Sequence, residues 1–317
     1  MLLIGQLRAI RVLCAVADTG SFSSAARAVG MTQSAVSQHI ATLEGVVGLP
    51  LVQRGTRPLE LTEAGTALVR HGASVLAQLE TAEQKVGEIG GRLAARLRLG
   101  SFPTALVSFV AQALVRLRHH RPDLALSVID DHQQGLLPRL ANGELDVAVV
   151  YQHPVVPGEG PDRLARVDLF DDPFRVLLPT GHPRAADPEV MPLSALDHEV
   201  WIGGRTGSAW YRIVRHACLA AGFEPRTVLS TDDYRALQAF VGAGLGVAVV
   251  PGLAAERPLP GVVVRDLVSA PVRRVSVARP MGDPVLPQVQ LMIDLLVEVT
   301  AGRRSPAAAA PAAPPRA

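Results

Sequence analysis

The sequence predicts a small all-α N-terminal winged helix-turn-helix, a long linker helix, and a larger α/β domain of two lobes. Three observations carry this expectation. Short helix-patterned segments crowd into Leu7–Val47, a proline-free stretch from Thr62 to Ile89 repeats apolar residues at heptad spacing, and strand-like and helix-like runs alternate beyond residue 92. At 317 residues the chain is long for one modest core, and 48% hydrophobic with 19% charged residues suits a globular interior. At least two domains are expected.

In the first helix, Leu7, Ile10, Leu13, Cys14 and Ala17 recur at helical spacing, and Gly20-Ser21 breaks the pattern. Ser23 is placed to cap a second helix that runs to Val29 and stops at Gly30. The third begins near Thr32 and carries Val36, Ile40, Leu43 and Val47 on one face. A helix-turn-helix needs a small residue where its helices touch, a residue tolerant of positive φ in the turn, and an apolar anchor; Ala26, Gly30 and Val36 meet those needs. The other face offers Thr32, Gln33, Ser34, Ser37, Gln38 and His39, whose side chains can hydrogen-bond base edges and phosphates. A solvated amphipathic helix would show the same letters.

Leu51–Leu61, with Gly55 and Pro58 between short apolar runs, reads as a small hairpin or wing. Arg54 and Arg57 stand in it, where they could grip the DNA backbone or minor groove, and Arg8, Arg11 and Arg27 add positive charge. Against them stand Asp18, Glu44, Glu60 and Glu63, so this module is weakly basic, and the whole-chain charge of +2 argues for no partner by itself.

Between Thr62 and Ile89, Leu68, Val75, Ala82 and Ile89 form one heptad series, with Leu79 and Val86 in the intervening places and Gly72 interrupting that second series. Such a seam pairs with another chain or packs on its own domain. Gly90-Gly91 ends it. Beyond lie expected strands at Arg96–Leu99, Leu124–Ile129, Asp146–Tyr151, Arg175–Leu178, Glu199–Ile202, Thr227–Ser230, Gly246–Val250 and Val272–Ala278. Interleaved helices are expected at Ala105–Arg118, around Leu136–Leu140, and at Tyr211–Ala221, Tyr234–Val241 and Val289–Val299. The domains expected are therefore 1–61, a linker and dimerisation helix 62–91, and 92–301, with a first lobe at 92–165 and 269–301 and a second at 166–268. Residues 302–317, rich in Ala, Pro and Arg, have no means of burying a core and read as a disordered tail.

An enzyme is not expected. No HExxH, GxSxG or Walker pattern occurs, His119-His120 is not a metal spacing, and the glycine-rich Gly242–Gly246 precedes its strand instead of following it. The two cysteines, Cys14 and Cys218, lie far apart without CxxC spacing, as in a reduced cytoplasmic chain. No apolar run approaches a membrane span and no export signal opens the chain, which argues against a free-standing exported solute-binding protein. A purely architectural DNA binder is a further alternative, but it leaves the α/β domain without a task.

The run GSFSSAARAVGMTQSAVSQHIATLEGVVGLPLVQRGTRPLELTEAG, with its small-residue pair, Gln-Ser-Ala-Val-Ser, Leu-Glu, wing arginine and Leu-Thr-x-Ala-Gly, resembles the N-terminal domain of LysR-type transcriptional regulators. More loosely, LRLGSFPTA, LANGELDVAVV and VGAGLGVAVVP resemble that family's regulatory domain, which is similar in fold to periplasmic solute-binding proteins with a ligand cleft between lobes. The resemblance implies contacts to double-stranded promoter DNA from Gln33, Ser34, Ser37, Gln38 and Arg54. The family often has a basic residue at the place of Ala41 and a bulkier polar one at that of Gly45, which would either weaken part of the phosphate grip or shift it to Arg57. It further implies a homodimer or homotetramer on an inverted repeat, altered polymerase recruitment, no cofactor, and a small organic co-inducer.

In such a cleft, strand C-termini and helix N-termini favour anions. Ser101 and Thr104 follow the first strand and flank Pro103, Gln133 opens the second strand-to-helix turn, and Trp201 to Arg205 and Thr231 follow strands of the second lobe. Arg205 could pair with an anionic effector and Trp201 could form an apolar wall. Helix capping alone would also explain Ser101, Thr104 and Thr231, solvation Arg205, and a core position Trp201.

Overall fold

The computed structural model describes residues 3–53, 58–89, 95–156, 164–186, 190–281 and 285–303. They group into two compact units: residues up to 95 with 139–145, and residues 96–138 with those from 146 onward.

The first unit holds α1 (Leu7–Thr19), α2 (Phe22–Val29), α3 (Gln33–Val47), the two-stranded antiparallel hairpin of β1 (Val52–Gln53) and β2 (Glu60–Leu61), and α4 (Glu63–Ile89). Leu13, Val16, Ala25, Val36, Ile40, Leu43 and Leu51 form its core. Helix α2 is capped by Ser21, whose hydroxyl accepts from the Ser24 N–H at 3.1 Å, and not by Ser23 as the sequence suggested. Ser21 adopts the extended backbone that an N-cap requires. Gly30 closes α2 in the left-handed conformation, φ 66°, that a side chain would resist.

Helix α4 lies close against α1. A Cβ on Gly72 would meet Ile10 Cγ2 at 2.4 Å, so the glycine that interrupts the heptad series is what admits the neighbouring helix. The apolar line left uncovered on α4 runs through Val75, Leu79 and Val86.

The second unit contains β3 (Arg96–Ser101), α5 (Pro103–Ala105), a π-helical turn at Leu106–Val110, α6 (Ala111–His120), β4 (Ala125–Asp130), α7 (Gln133–Ala141) as far as Pro138, and β5 (Val147–Gln152). There follow β6 (Leu164–Pro179), β7 (Val190–Met191), β8 (Val200–Gly203), α8 (Ala209–Ala220), β9 (Arg226–Ser230) and α9 (Tyr234–Gly242). The chain continues through β10 (Ala248–Pro251), α10 (Gly252–Ala255), β11 (Val262–Leu267), β12 (Val272–Pro280) and α11 (Pro287–Thr300).

The main sheet runs β4-β3-β5-β12-β6-β11-β7, with β10 also on β6. Parallel β8 and β9 attach through main-chain bonds between Ile202, Val247 and Val200. Strand β6 makes two lobes of this sheet. Residues 164–173 pair antiparallel with β12, while Phe174–Pro179 pair with β10 and β11. The passage between lobes thus falls at Pro173–Phe174, not at 165–166. Separate cores lie under each half, one around Leu97, Phe109, Val147 and Leu296, the other around Phe174, Trp201, Ile213 and Val250. The sequence put strand only at 175–178 of β6 and missed β11 and β7 altogether.

Candidate nucleic-acid interface and ligand cleft

Helix α3 divides its residues cleanly. Val36, Ile40 and Leu43 are buried, while Gln33, Ser34, Ser37, Gln38 and Ala41 are exposed on the opposite side. Thr32 caps it, accepting from the Ala35 N–H at 3.2 Å, and its hydroxyl lies 3.0 Å from that of Ser34. The exposed face therefore begins at the helix N-terminus, where amide N–H groups and the helix dipole favour phosphate. Arg54 and Arg57 lie outside the described residues. The base of their wing is fixed from both sides: Glu44 accepts from the Leu51 N–H at 2.8 Å, and the Leu59 N–H donates to Gly20 at 2.9 Å. Glu44, which the sequence shows only as negative charge, is a positioning residue for the wing.

In the second unit a cavity of about 440 Å³ lies between the lobes. Phe102, Thr104, Gln133, Tyr151 and Arg273 line it from the first lobe; Arg205, Ser208, Trp210, Asp232 and Tyr234 line it from the second. A larger adjoining cavity of about 830 Å³ shares Thr104, Arg205 and Tyr234 and also reaches Thr231.

The structure brings Thr104, Gln133, Arg205 and Thr231 to these cavities and leaves two expected residues out. Ser101 is wholly buried and donates to the Phe102 carbonyl at 3.3 Å. Trp201 is likewise buried, with Nε1 donating to Leu196 at 3.2 Å and its ring tilted against Phe223; it belongs to the second lobe's core and forms no wall. Strand alternation turns its side chain inward. Trp210 supplies the wall instead, its Nε1 donating to Val249 at 2.9 Å and its ring 4.9 Å from that of Tyr234. Gly204 makes room for it, since a Cβ there would lie 2.7 Å from the indole. Thr231 accepts from the Asp233 N–H at 3.1 Å, and the exposed Arg205 side chain lies 3.7 Å from Asp232.

Sequence reasoning missed Arg273. Its guanidinium is almost wholly buried at the first-lobe end of the cleft, donating from Nε to Asp172 Oδ2 at 2.8 Å and from Nη2 to the Thr104 hydroxyl at 3.0 Å. Phe102 and Tyr151 place their rings 4.8 and 4.9 Å from it. The other Asp172 oxygen accepts from the Leu253 N–H at 3.0 Å. Gln133 accepts from the Tyr151 N–H at 2.8 Å through Oε1. Burial pushes the Tyr234 hydroxyl above its ordinary pKa, outweighing the nearby Arg273 charge, so it remains a donor.

Among the described residues, no group of three or more metal-ligating side chains forms, and no helix is long and apolar enough to cross a membrane.

Residues 7–66 match the model of the bacterial regulatory helix-turn-helix protein, lysR family, and residues 90–301 that of the LysR substrate binding domain. A probable hydrogen peroxide-inducible genes activator of Mycobacterium avium is 32% identical over 244 residues, covering 76% of each chain. The Hca operon transcriptional activator HcaR of Escherichia coli is 29% identical over 78% of this chain and 82% of its own. In fold, full-length OxyR of Pseudomonas aeruginosa aligns over 92% of this chain and 97% of its own, with TM-score 0.68 at 24% identity.

Proposed function

Since the chain belongs to the LysR family of DNA-binding transcription regulators with an effector-binding domain, we propose that it reads an inverted repeat in promoter DNA and that a small anion between its lobes resets that reading. The observation that carries the first part is the division of α3, which offers Gln33, Ser34, Ser37 and Gln38 together on one face while its apolar residues hold the core. Arg54 and Arg57 extend the grip to the backbone from the wing. Two such heads are joined through the linker 62–91, whose exposed Val75, Leu79 and Val86 supply an apolar seam. Pairing of the ligand domains then makes a tetramer, and a ligand that prefers one arrangement of lobes changes head spacing and polymerase recruitment. This task lies in the cytoplasm, where bacterial promoters are.

For the second part, Thr104, Gln133, Arg205 and Thr231 are the effector contacts proposed from the original set, with Trp210 replacing Trp201. Thiol oxidation is a poor candidate signal. Neither cysteine lines the cleft; Cys218 is buried in the second lobe's core with its thiol pushed up to about 12, and burial of Cys14 in the first unit pushes it to about 11. Both stay as unreactive thiols near neutral pH.

The test is DNA affinity against salt for the full chain. Arg54→Ala is expected to weaken binding to every sequence and lower the slope of log affinity on log salt by about one unit. Gln38→Ala should instead cost affinity for the specific site alone. An unchanged slope for the first and a uniform loss for the second would contradict these roles.

A further inference from the structure

Arg273 and Gln133 line the first-lobe end of the cleft beside His132 and Gln134. Arg273 is 4% exposed, and its pairing with Asp172 and Thr104 occupies Nε and Nη2, leaving Nη1 without a partner among the described residues. Asp172 has both oxygens engaged, by Arg273 and by the Leu253 N–H, so it orients the guanidinium without filling the space before it. Gln133, 6% exposed, lines the cavity and gives Oε1 to the Tyr151 N–H, which leaves its Nε2 without a partner among the described residues. The Tyr234 hydroxyl and the first turn of α8, reached through Ser208 and Ala209, face the same space. Among the described residues the one carboxylate lining this cavity, Asp232, already accepts from the Arg205 N–H at 3.1 Å.

Donors that open onto the cavity are available to a ligand, and a guanidinium held in a fixed plane suits a carboxylate best. Around these donors the walls are aromatic: Phe102 and Tyr151 flank the guanidinium, and the paired rings of Trp210 and Tyr234 stand on the second lobe's side. We propose that this end of the cleft is a carboxylate-binding subsite built on Arg273, Gln133 and Tyr234, and that its ligand is a small aromatic carboxylate. The carboxylate takes the free Arg273 and Gln133 donors, and the ring lies against Trp210 and Tyr234. This rests on the reading of the cleft as the effector site and names the class of effector.

Calorimetric titration of the full chain with benzoate, benzamide and acetate separates charge from ring. Benzoate is expected to bind about tenfold or more tightly than either of the others. Gln133→Glu keeps the acceptor for the Tyr151 N–H and replaces the facing amide by a like charge, so it should weaken benzoate by about tenfold while changing benzamide by less than about twofold. Thr104→Val, which removes the hydroxyl that steadies Arg273, should weaken benzoate by about threefold, and it serves if the first variant fails to fold. Benzamide binding as well as benzoate, benzoate binding that ignores both substitutions, or no benzoate binding would overturn the assignment. Entry of the neutral probe alone would still leave the cleft as a small-molecule site, whereas a DNA affinity indifferent to every small-molecule fraction of a cell extract would remove that wider reading.

Discussion

His153 sits at the edge of the second core, its ring 6.5 Å from that of Phe174, and burial followed by repulsion from His216 lowers its pKa. The folded chain thus takes up this proton less readily than the unfolded one. The sign follows: its neutral form costs nothing above the ordinary value of 6.5, and stability is lost as pH falls through that value. Denaturant melts at about pH 7.5 and about pH 5.5 should show a smaller loss for His153→Asn than for the parent; equal losses would refute the assignment. The cysteines give a second expectation at this scale. A Cys14→Ser, Cys218→Ser double variant should keep its response to effector, and loss of the response in a folded variant would restore thiol chemistry to the mechanism. Residues of this kind differ in how openly the sequence declares them. The α3 set is legible because helical periodicity alone separates Gln33, Ser34, Ser37 and Gln38 from Val36 and Ile40. Arg273 is not, because nothing local distinguishes it from Arg274 beside it. Its partner Thr104 lies 169 positions away, and only the assembled sheet shows that Arg273 is buried while Arg274 reaches Asp171 on the surface. Trp210 is not declared for the same reason: it stands in the first turn of α8, and that it faces the cleft while Trp201 does not depends on how β8 and α8 pack.

Among elements, α4 was read from its heptads, but the reason for Gly72 was not, since it depends on the approach of Ile10 from α1. With Gly72 assigned to that contact, Val75, Leu79 and Val86 remain exposed, and they are the seam proposed for a second chain. Val75→Asp together with Val86→Asp is expected to yield monomers with unchanged helix content, as read by sedimentation and circular dichroism, because paired like charges in an apolar seam are costly. A persisting dimer would move the interface elsewhere. Strand β6 was half hidden by Asp168, Asp171, Asp172 and Pro173, residues that ordinarily argue against a strand. The neighbouring strand answers each acid: Ser276 donates to Asp168 at 3.0 Å, Arg274 to Asp171 at 3.0 Å and Arg273 to Asp172 at 2.8 Å. Cross-strand pairing of this kind overrides propensity, and it is invisible until β12 is in place. The α2 cap lies two residues from the expected one for a smaller reason, Ser21, Ser23 and Ser24 around Phe22 offering equivalent side chains.

For the whole molecule, the alternation of strands and helices announced the α/β class and its two lobes, because each period reflects one face buried on a common sheet. The lobe boundary was less legible, since one strand belongs to both lobes and changes partners in mid-course. What this architecture supplies is an exposed polar face of α3 on one unit and, within the other, a cleft whose two sides come from separate cores, the two features on which the proposed DNA reading and ligand response rest. The central claim is that the chain reads particular DNA sequences. The measurement that tests it most directly is selection and footprinting of the full chain on fragments of its own genome at near-physiological salt, where backbone attraction alone is suppressed. The account predicts protection of discrete inverted repeats, with loss of protection at those sites on Gln33→Ala and Gln38→Ala. Retention of DNA without sequence preference, fading uniformly as salt rises and indifferent to both substitutions, would contradict it.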